Sequence, residues 1–297
     1  MSPALPVFAL AALAILLTVV APRVLPSFTW LRRTPAAALT LWQVVGAVGV
    51  LAALMTAPAA VIALTTDGAE LSALSREPTR VSIALLLATV MSAGMLVLLL
   101  RSAHLIGTDL RANRRAQRDV VDVVASRIDG QVRVVDHPGR SAYCLPGLRS
   151  RVVLTSGTVD ALSEEQLQAV LAHERAHTGA RHDLMLEFFM VLHRTVPRVL
   201  RSEAALREVR LLVELLADRY AARQVGPVPL GGALAAMAGT AHPHAALGSG
   251  ASTEDLIIRV KALPDHSRRH RSAVLVVLLI AVTGLTPWGL LSLALRA

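Results

Sequence analysis

Cysteine is nearly absent from this chain. Cys144 stands alone among 297 residues, which excludes an internal disulfide and any multi-cysteine metal site. A single small thiol in a reducing cytosol is expected to be a buried packing residue. Charge is also scarce: Asp, Glu, Lys and Arg make up 17% of the chain, against ~25% in ordinary soluble domains. Hydrophobic residues reach 54% and the mean hydropathy is +0.55, so membrane spans are expected. Acid is the rarer sign, with 21 acidic against 30 basic residues, a formal net charge of +9. That excess would admit nucleic-acid binding, but no recognition motif accompanies it. The arginine clusters flank apolar runs, where they set topology and meet anionic lipid. Membrane lipid is therefore an expected partner, and direct nucleic-acid binding is not.

Four apolar runs are candidate spans: Leu5–Val20, Ala36–Leu64, Val81–Leu100 and Ala273–Leu293. No Lys or Arg precedes the first, and Pro22 follows Ala21 where a cleavage site would stand, so a retained helix is favoured over a signal peptide. Gly49-x-x-x-Ala53 permits close helix approach in the second run, Pro58 can kink it, and Gln43 is expected to bond a neighbouring helix. Arg23, Arg32 and Arg33 follow the first run. Arg101, Arg111, Arg114, Arg115 and Arg118 follow the third, and Arg268, Arg269 and Arg271 precede the fourth. The positive-inside rule makes these segments cytoplasmic and leaves both termini outside. Trp30, Trp42 and Trp288 are placed for membrane interfaces. The expected organisation is a mainly α, multi-pass protein of the cell (inner or plasma) membrane. Residues 1–100 form a three-helix transmembrane region, 101–271 a cytoplasmic domain, and 272–297 a fourth transmembrane helix and short tail.

Within 101–271 the chemistry gathers at His173-Glu174-Arg175-Ala176-His177. Residues four apart share a helix face, so both imidazoles reach one metal ion while Glu174 faces a water bound to it. Ser163-Glu164-Glu165-Gln166 reads as a capping box for this helix, and Gly179 marks its end. In a second helical stretch, Glu203–Gln224, Glu214 and Asp218 also lie four apart, on an otherwise apolar segment. Acids on such a face are costly unless they are paired or bind metal. Glu214 is assigned as the third ligand, and Asp218 as the acceptor holding a ligand histidine by its other ring nitrogen. The competing reading makes both acids solvated bridges to Arg210, Arg219 or Arg223. One zinc ion suits three protein ligands and a water, although the ligand set alone also admits cobalt or manganese. Glu174 is placed to act as general base.

Around this helix, His104 to about Ser126 is expected to be helical, with Val120, Val121, Val123 and Val124 supplying apolar contacts. Val132–Val135 and Arg151–Thr155 read as two short strands, joined by a loop containing Pro138-Gly139 and Pro146-Gly147. Asp183 is favoured as the cap of the next helix, and Thr253 as the cap of a short helix ending near Leu263. His242 and His244, beside Pro243, are read as ordinary exposed histidines. Tyr220 or a nearby arginine is a candidate to stabilise an oxyanion.

His173–His177, with Arg181-His182-Asp183 after it and Glu214-Leu215-Leu216-Ala217-Asp218 further on, resembles the gluzincin metallopeptidases. It is most similar to the membrane family that includes the BlaR/MecR antirepressor sensor-transducers, and it also resembles membrane proteases of the CaaX-prenyl-protease and HtpX type. Tyr143–Gly147 and Val152–Gly157 resemble that family's run into the zinc helix, and the likeness extends over Val132–Tyr220. It implies a zincin-like α+β metallopeptidase domain inserted between the third and fourth of four transmembrane helices. It further implies cleavage of a protein substrate, a cytoplasmic transcriptional repressor or other regulator, in signal transduction. Such peptidases hold substrate as an extended strand against a sheet edge, for which Arg151, Val152, Val153, Leu154 and Thr155 are the candidates. A hairpin that only packs beneath the zinc helix is the other reading of that segment. Antirepressors of the best-known kind carry a penicillin-binding sensor domain after the fourth span, and here the chain ends at Ala297. A signal is therefore expected through the spans, the Thr65–Arg80 loop or a sensor partner protein. The alternatives are a quality-control protease and, in another class, a catalytically silent membrane scaffold or zinc sensor.

Overall fold

A computed structural model of the chain describes residues 4–66, 78–147, 150–238, 252–263 and 269–296. Most of the Thr65–Arg80 loop, and both His242 and His244, lie outside them. The chain divides into two compact units. One comprises Met1–Leu105, Phe188–Val209 and His270–Ala297; the other comprises Ile106–Glu187 and Arg210–Arg269.

The first unit is helical. It contains α1 (Ala4–Ile15), a π-turn at Leu16–Val20, α2 (Ala21–Val24), α3 (Pro35–Thr66), the start of α4 (Pro78–Val124), and α11 (Arg269–Arg296). Among the described residues, three stretches are long and apolar enough to cross a membrane, Val7–Ser27, Pro35–Val61 and Ser92–Val124, while Ala273–Thr286 within α11 is shorter. Leu10 and Ala14 of α1 pack on Ala52 and Ala59 of α3. A Cβ on Gly49 would fall 2.9 Å from Thr18 Cγ2, so the small-residue motif is used for close approach as its spacing suggests. The segment Phe188–Val209 also belongs to this unit, although the sequence places it inside the hydrophilic stretch. Arg32 forks onto Glu208 with contacts of 2.8 and 2.6 Å, and the Ser202 hydroxyl donates to the Pro22 carbonyl at 2.7 Å.

The second unit begins with the end of α4 and a sheet of β1 (Ala125–Asp129), β2 (Val132–Val135), β3 (Ala142–Leu145) and β4 (Arg151–Thr155). Then follow α5 (Ser156–Ala161), α6 (Glu164–Gly179), α7 (His182–Thr195), α8 (Glu203–Val225), α9 (Pro227–Ala236) and α10 (Thr253–Ala262). Of these, α7 and α8 run through both units. The capping box at Ser163 and Gln166 forms, and α6 ends at Gly179, as expected.

Strand order is β1-β2-β4-β3, with β4 parallel to β2 and antiparallel to β3. This corrects the expectation for Arg151, Val152, Val153, Leu154 and Thr155. Their backbone is paired on both sides, so they cannot be the free edge, nor do β2 and β4 form a hairpin. The physical reason is legible in burial. Val152 and Leu154 pack toward α6 and α9, while Val153 packs on the other face with Val121 and Leu145. A strand covered on both faces reads as a continuous apolar run. The edge beside α6 is β3 instead. Two further expectations change. Residues 125–129 form β1 rather than continuing a helix to Ser126, and of the four valines near it only Val121 is buried, with Val120 and Val123 strongly exposed. Successive helical positions are turned ~100° apart, so four near-contiguous valines cannot share one buried face. Ser252 rather than Thr253 caps α10, in a capping box with Asp255.

Gly157, the second residue of α5, donates its amide to the His137 carbonyl at 3.0 Å. A Cβ there would lie 2.1 Å from the Pro138 carbonyl oxygen, a backbone atom that cannot swing aside. Gly157→Ala is expected to destabilise the protein by ~1–3 kcal/mol, read as a lower melting temperature of the purified full chain.

Candidate metal centre

The centre is built where α6 meets α8. One turn of α6 brings the Nε2 atoms of His173 and His177 to 3.1 Å from each other. From α8, Glu214 reaches both, with Oε2 3.4 Å from His173 Nε2 and Oε1 3.4 Å from His177 Nε2. Donors held ~2.0–2.1 Å from a tetrahedral zinc stand roughly 3.3 Å apart, so this His-His-Glu set fits such an ion. The three expected ligands are thus brought together, one atom of each within 4.8 Å of the others. Glu214 keeps 35% of its side chain exposed, which leaves the centre open on one side. Glu174, beside His173, is buried.

Asp218 does what the four-residue spacing suggests: its Oδ1 lies 2.9 Å from His173 Nδ1. Its cationic partner was not anticipated. Arg259 of α10 forks onto Asp218 with two contacts of 2.7 Å and reaches Glu214 Oε2 at 3.0 Å. Asp218 is 1% exposed and Arg259 5%, so this is a buried ion pair rather than a solvated bridge. No sequence signal marks Arg259, because it lies 41 residues from Asp218 on a short helix of ordinary composition.

His182 is the second residue that spacing did not assign. It is 1% exposed, and its Nδ1 stands 3.1 Å from His177 Nδ1. Burial pushes the His182 pKa down, which keeps the ring neutral. If His177 holds a metal through Nε2, its Nδ1–H is the donor of this contact and the neutral His182 accepts at Nδ1. The two ligand histidines are therefore held differently, one by a carboxylate and one by an imidazole. Asp183 sits in the first turn of α7 and pairs with Arg114 at 3.2 Å. Cys144 is buried on β3 with its thiol pKa pushed up by that burial, as befits an inert packing residue. Tyr220 is 46% exposed on α8.

Electrostatics follow from these contacts. Burial alone would raise the Asp218 and Glu214 pKa values, but Arg259 and the histidines outweigh it and hold both below the usual carboxylate range. For His173, burial works downward, yet the hydrogen bonds to Asp218 and Glu214 prevail and push it up to about 10. A metal must compete with that proton, so its binding strengthens as pH rises.

Residues 108–225 match the model of Peptidase family M48. This segment supports a metallopeptidase. It contains the sheet, both histidines of α6, His182, Glu214 and Asp218, and zinc is the usual ion of M48 peptidases. Arg259 lies beyond it. No curated protein and no solved structure matches the chain.

Two expectations follow from this geometry. Asp218, with its folded pKa depressed, contributes stability that is present above its unfolded value of ~3.9 and lost as pH falls through the folded one. Arg259→Met strands that carboxylate, costing ~3–5 kcal/mol and moving acid unfolding to higher pH, which circular dichroism of the full chain will follow. His182→Ala is expected to weaken zinc binding ~10–100-fold without loss of helix, measured by chelator competition.

Proposed function

We propose that the chain is a membrane zinc endopeptidase that hydrolyses a cytoplasmic protein, a transcriptional repressor or another regulator, at the inner face of the cell membrane. The observation that carries this reading is the meeting of His173, His177 and Glu214 at ligand spacing, with Glu174 in the same helical turn. His173, His177 and Glu214 would hold a zinc ion, which would supply a Lewis acid for the scissile carbonyl and lower the pKa of water toward ~7. Glu174 takes the proton of the attacking water and passes it to the leaving amine. Asp218 and His182 hold the Nδ1 atoms of the two imidazoles, which would leave each Nε2 for the metal. The exposed flank of Glu214 leaves a path for substrate, and the outer backbone of β3 is the edge along which an extended peptide pairs.

The cytoplasmic orientation is supported by the positive-inside pattern and by contacts within the first unit. Arg32 of the basic loop pairs with Glu208, and Pro22 with Ser202, so the 188–209 segment packs at the end of the spans that carries the basic loop. A silent scaffold would have no use for the general base Glu174.

Membranes containing wild type or Glu174→Gln, each assayed for bound zinc, test the proposal. Glu174→Gln is expected to retain zinc and lose cleavage of itself and of co-expressed cytoplasmic proteins by at least ~100-fold. Equal cleavage by the two would refute the role of Glu174, and a wild type without metal would refute the site. The identity of the cut protein decides between regulation, shown by a soluble repressor, and quality control, shown by fragments of membrane proteins.

A further inference from the structure

Residues 188–209 share a unit with the first two apolar runs, and specific contacts hold them there. A Cβ at Gly46 would stand 2.5 Å from Leu192 Cδ1, so the end of α7 packs directly on α3. The Ser202 hydroxyl reaches the Pro22 carbonyl at 2.7 Å. Pro22 immediately precedes Arg23, the first charged side chain in the sequence. The chain next to Ser202 therefore lies level with the point where the first apolar run gives way to charge.

At this level the surface is apolar and cationic together. Arg198, Val199 and Leu200 form a 3₁₀ turn after Pro197, with Val199 87% exposed and Leu200 38%. Arg201 braces the turn by donating to the Val196 and Arg194 carbonyls at 2.9 Å, so the aliphatic tip is displayed on a fixed backbone. On the Pro22 side, Val24 and Phe28 are exposed as well. Arg23, Arg33, Arg194 and Arg198 are exposed in the same two segments, whose acids are both engaged, Glu203 by His193 and Glu208 by Arg32. Aliphatic side chains held out among arginines are costly in water and suit the boundary between headgroups and acyl chains of an anionic leaflet.

We propose that the Pro197–Arg201 turn is seated in an anionic leaflet of the bilayer that the apolar runs cross. Val199 and Leu200 enter the acyl boundary, about 5–10 Å deep, while Arg194 and Arg198 meet lipid phosphates. In the chain this turn joins α7 to α8, the helices that carry His182 and the Glu214 and Asp218 pair. The contact does not depend on the peptidase reading, because lipid proximity and not cleavage is what is measured.

The test uses the purified full chain in lipid nanodiscs. Cys144→Ala removes the single native thiol and Val199→Cys carries an NBD fluorophore at a position too exposed to disturb packing. Glu165→Cys, at an exposed position of α6, is the comparison. The discs contain phosphatidylcholine alone or with phosphatidylglycerol, with or without a nitroxide high on the acyl chain, and iodide is the aqueous quencher. The Val199 probe is expected to be shielded from iodide and quenched by the lipid nitroxide at least about threefold more than the Glu165 probe. Phosphatidylglycerol is expected to raise that lipid quenching about twofold, and Arg194→Gln with Arg198→Gln to abolish the increment without loss of helix by circular dichroism. A Val199 probe that iodide reaches as freely as the Glu165 probe lies in water and overturns the proposal. One shielded from both quenchers is covered by protein, a second copy or a partner, and overturns it equally, as does lipid quenching indifferent to phosphatidylglycerol.

Discussion

The contact on which the candidate centre depends is the one between His173 and Asp218. It fixes one imidazole of α6 against α8, and Glu214, one turn earlier on α8, then falls at ligand distance from both histidines. Because Asp218 is buried, this contact requires a cation to hold the carboxylate charged, and Arg259 of α10 supplies it. The second unit can therefore be read outward from one hydrogen bond. A ligand histidine needs a carboxylate, the buried carboxylate needs a guanidinium, and the guanidinium needs a helix docked against α8.

The sheet performs a different service. With β4 covered on both faces, it forms a floor whose apolar residues hold α6 in place, and its β3 edge runs beside the helix that carries the histidines. The sheet edge and the ligand-bearing helix thus lie in one layer. The M48 match over residues 108–225 covers this layer and the two ligand-bearing helices, while the arginine that completes their charge balance lies outside it.

Two helices carry residues of both units. The start of α7 brings His182 to the centre while its later turns belong to the first unit, and α8 likewise runs from Leu206 in the first unit to Glu214 and Asp218 in the second. Such segments are hard to assign from sequence because their hydrophobic pattern serves two environments. Phe188–Val209 looks like part of a hydrophilic domain by its charge, yet it groups with the spans, where Glu208 meets Arg32.

By itself the sequence determined whatever rests on local spacing. The pair of histidines four apart, the capping box that starts their helix, the Glu214 and Asp218 pair and the close approach at Gly49 are consequences of helical period and side-chain type. Tertiary structure decided what depends on pairing between distant segments. Strand order made β4 an interior strand although its residues could equally have formed an edge, and β1 arose where helical continuity was expected. Arg259 and His182 acquired their roles only when folding placed them against Asp218 and His177. An arginine forty-one residues away carries no periodic mark of the carboxylate it will neutralise, because burial, and not sequence distance, creates the need for it.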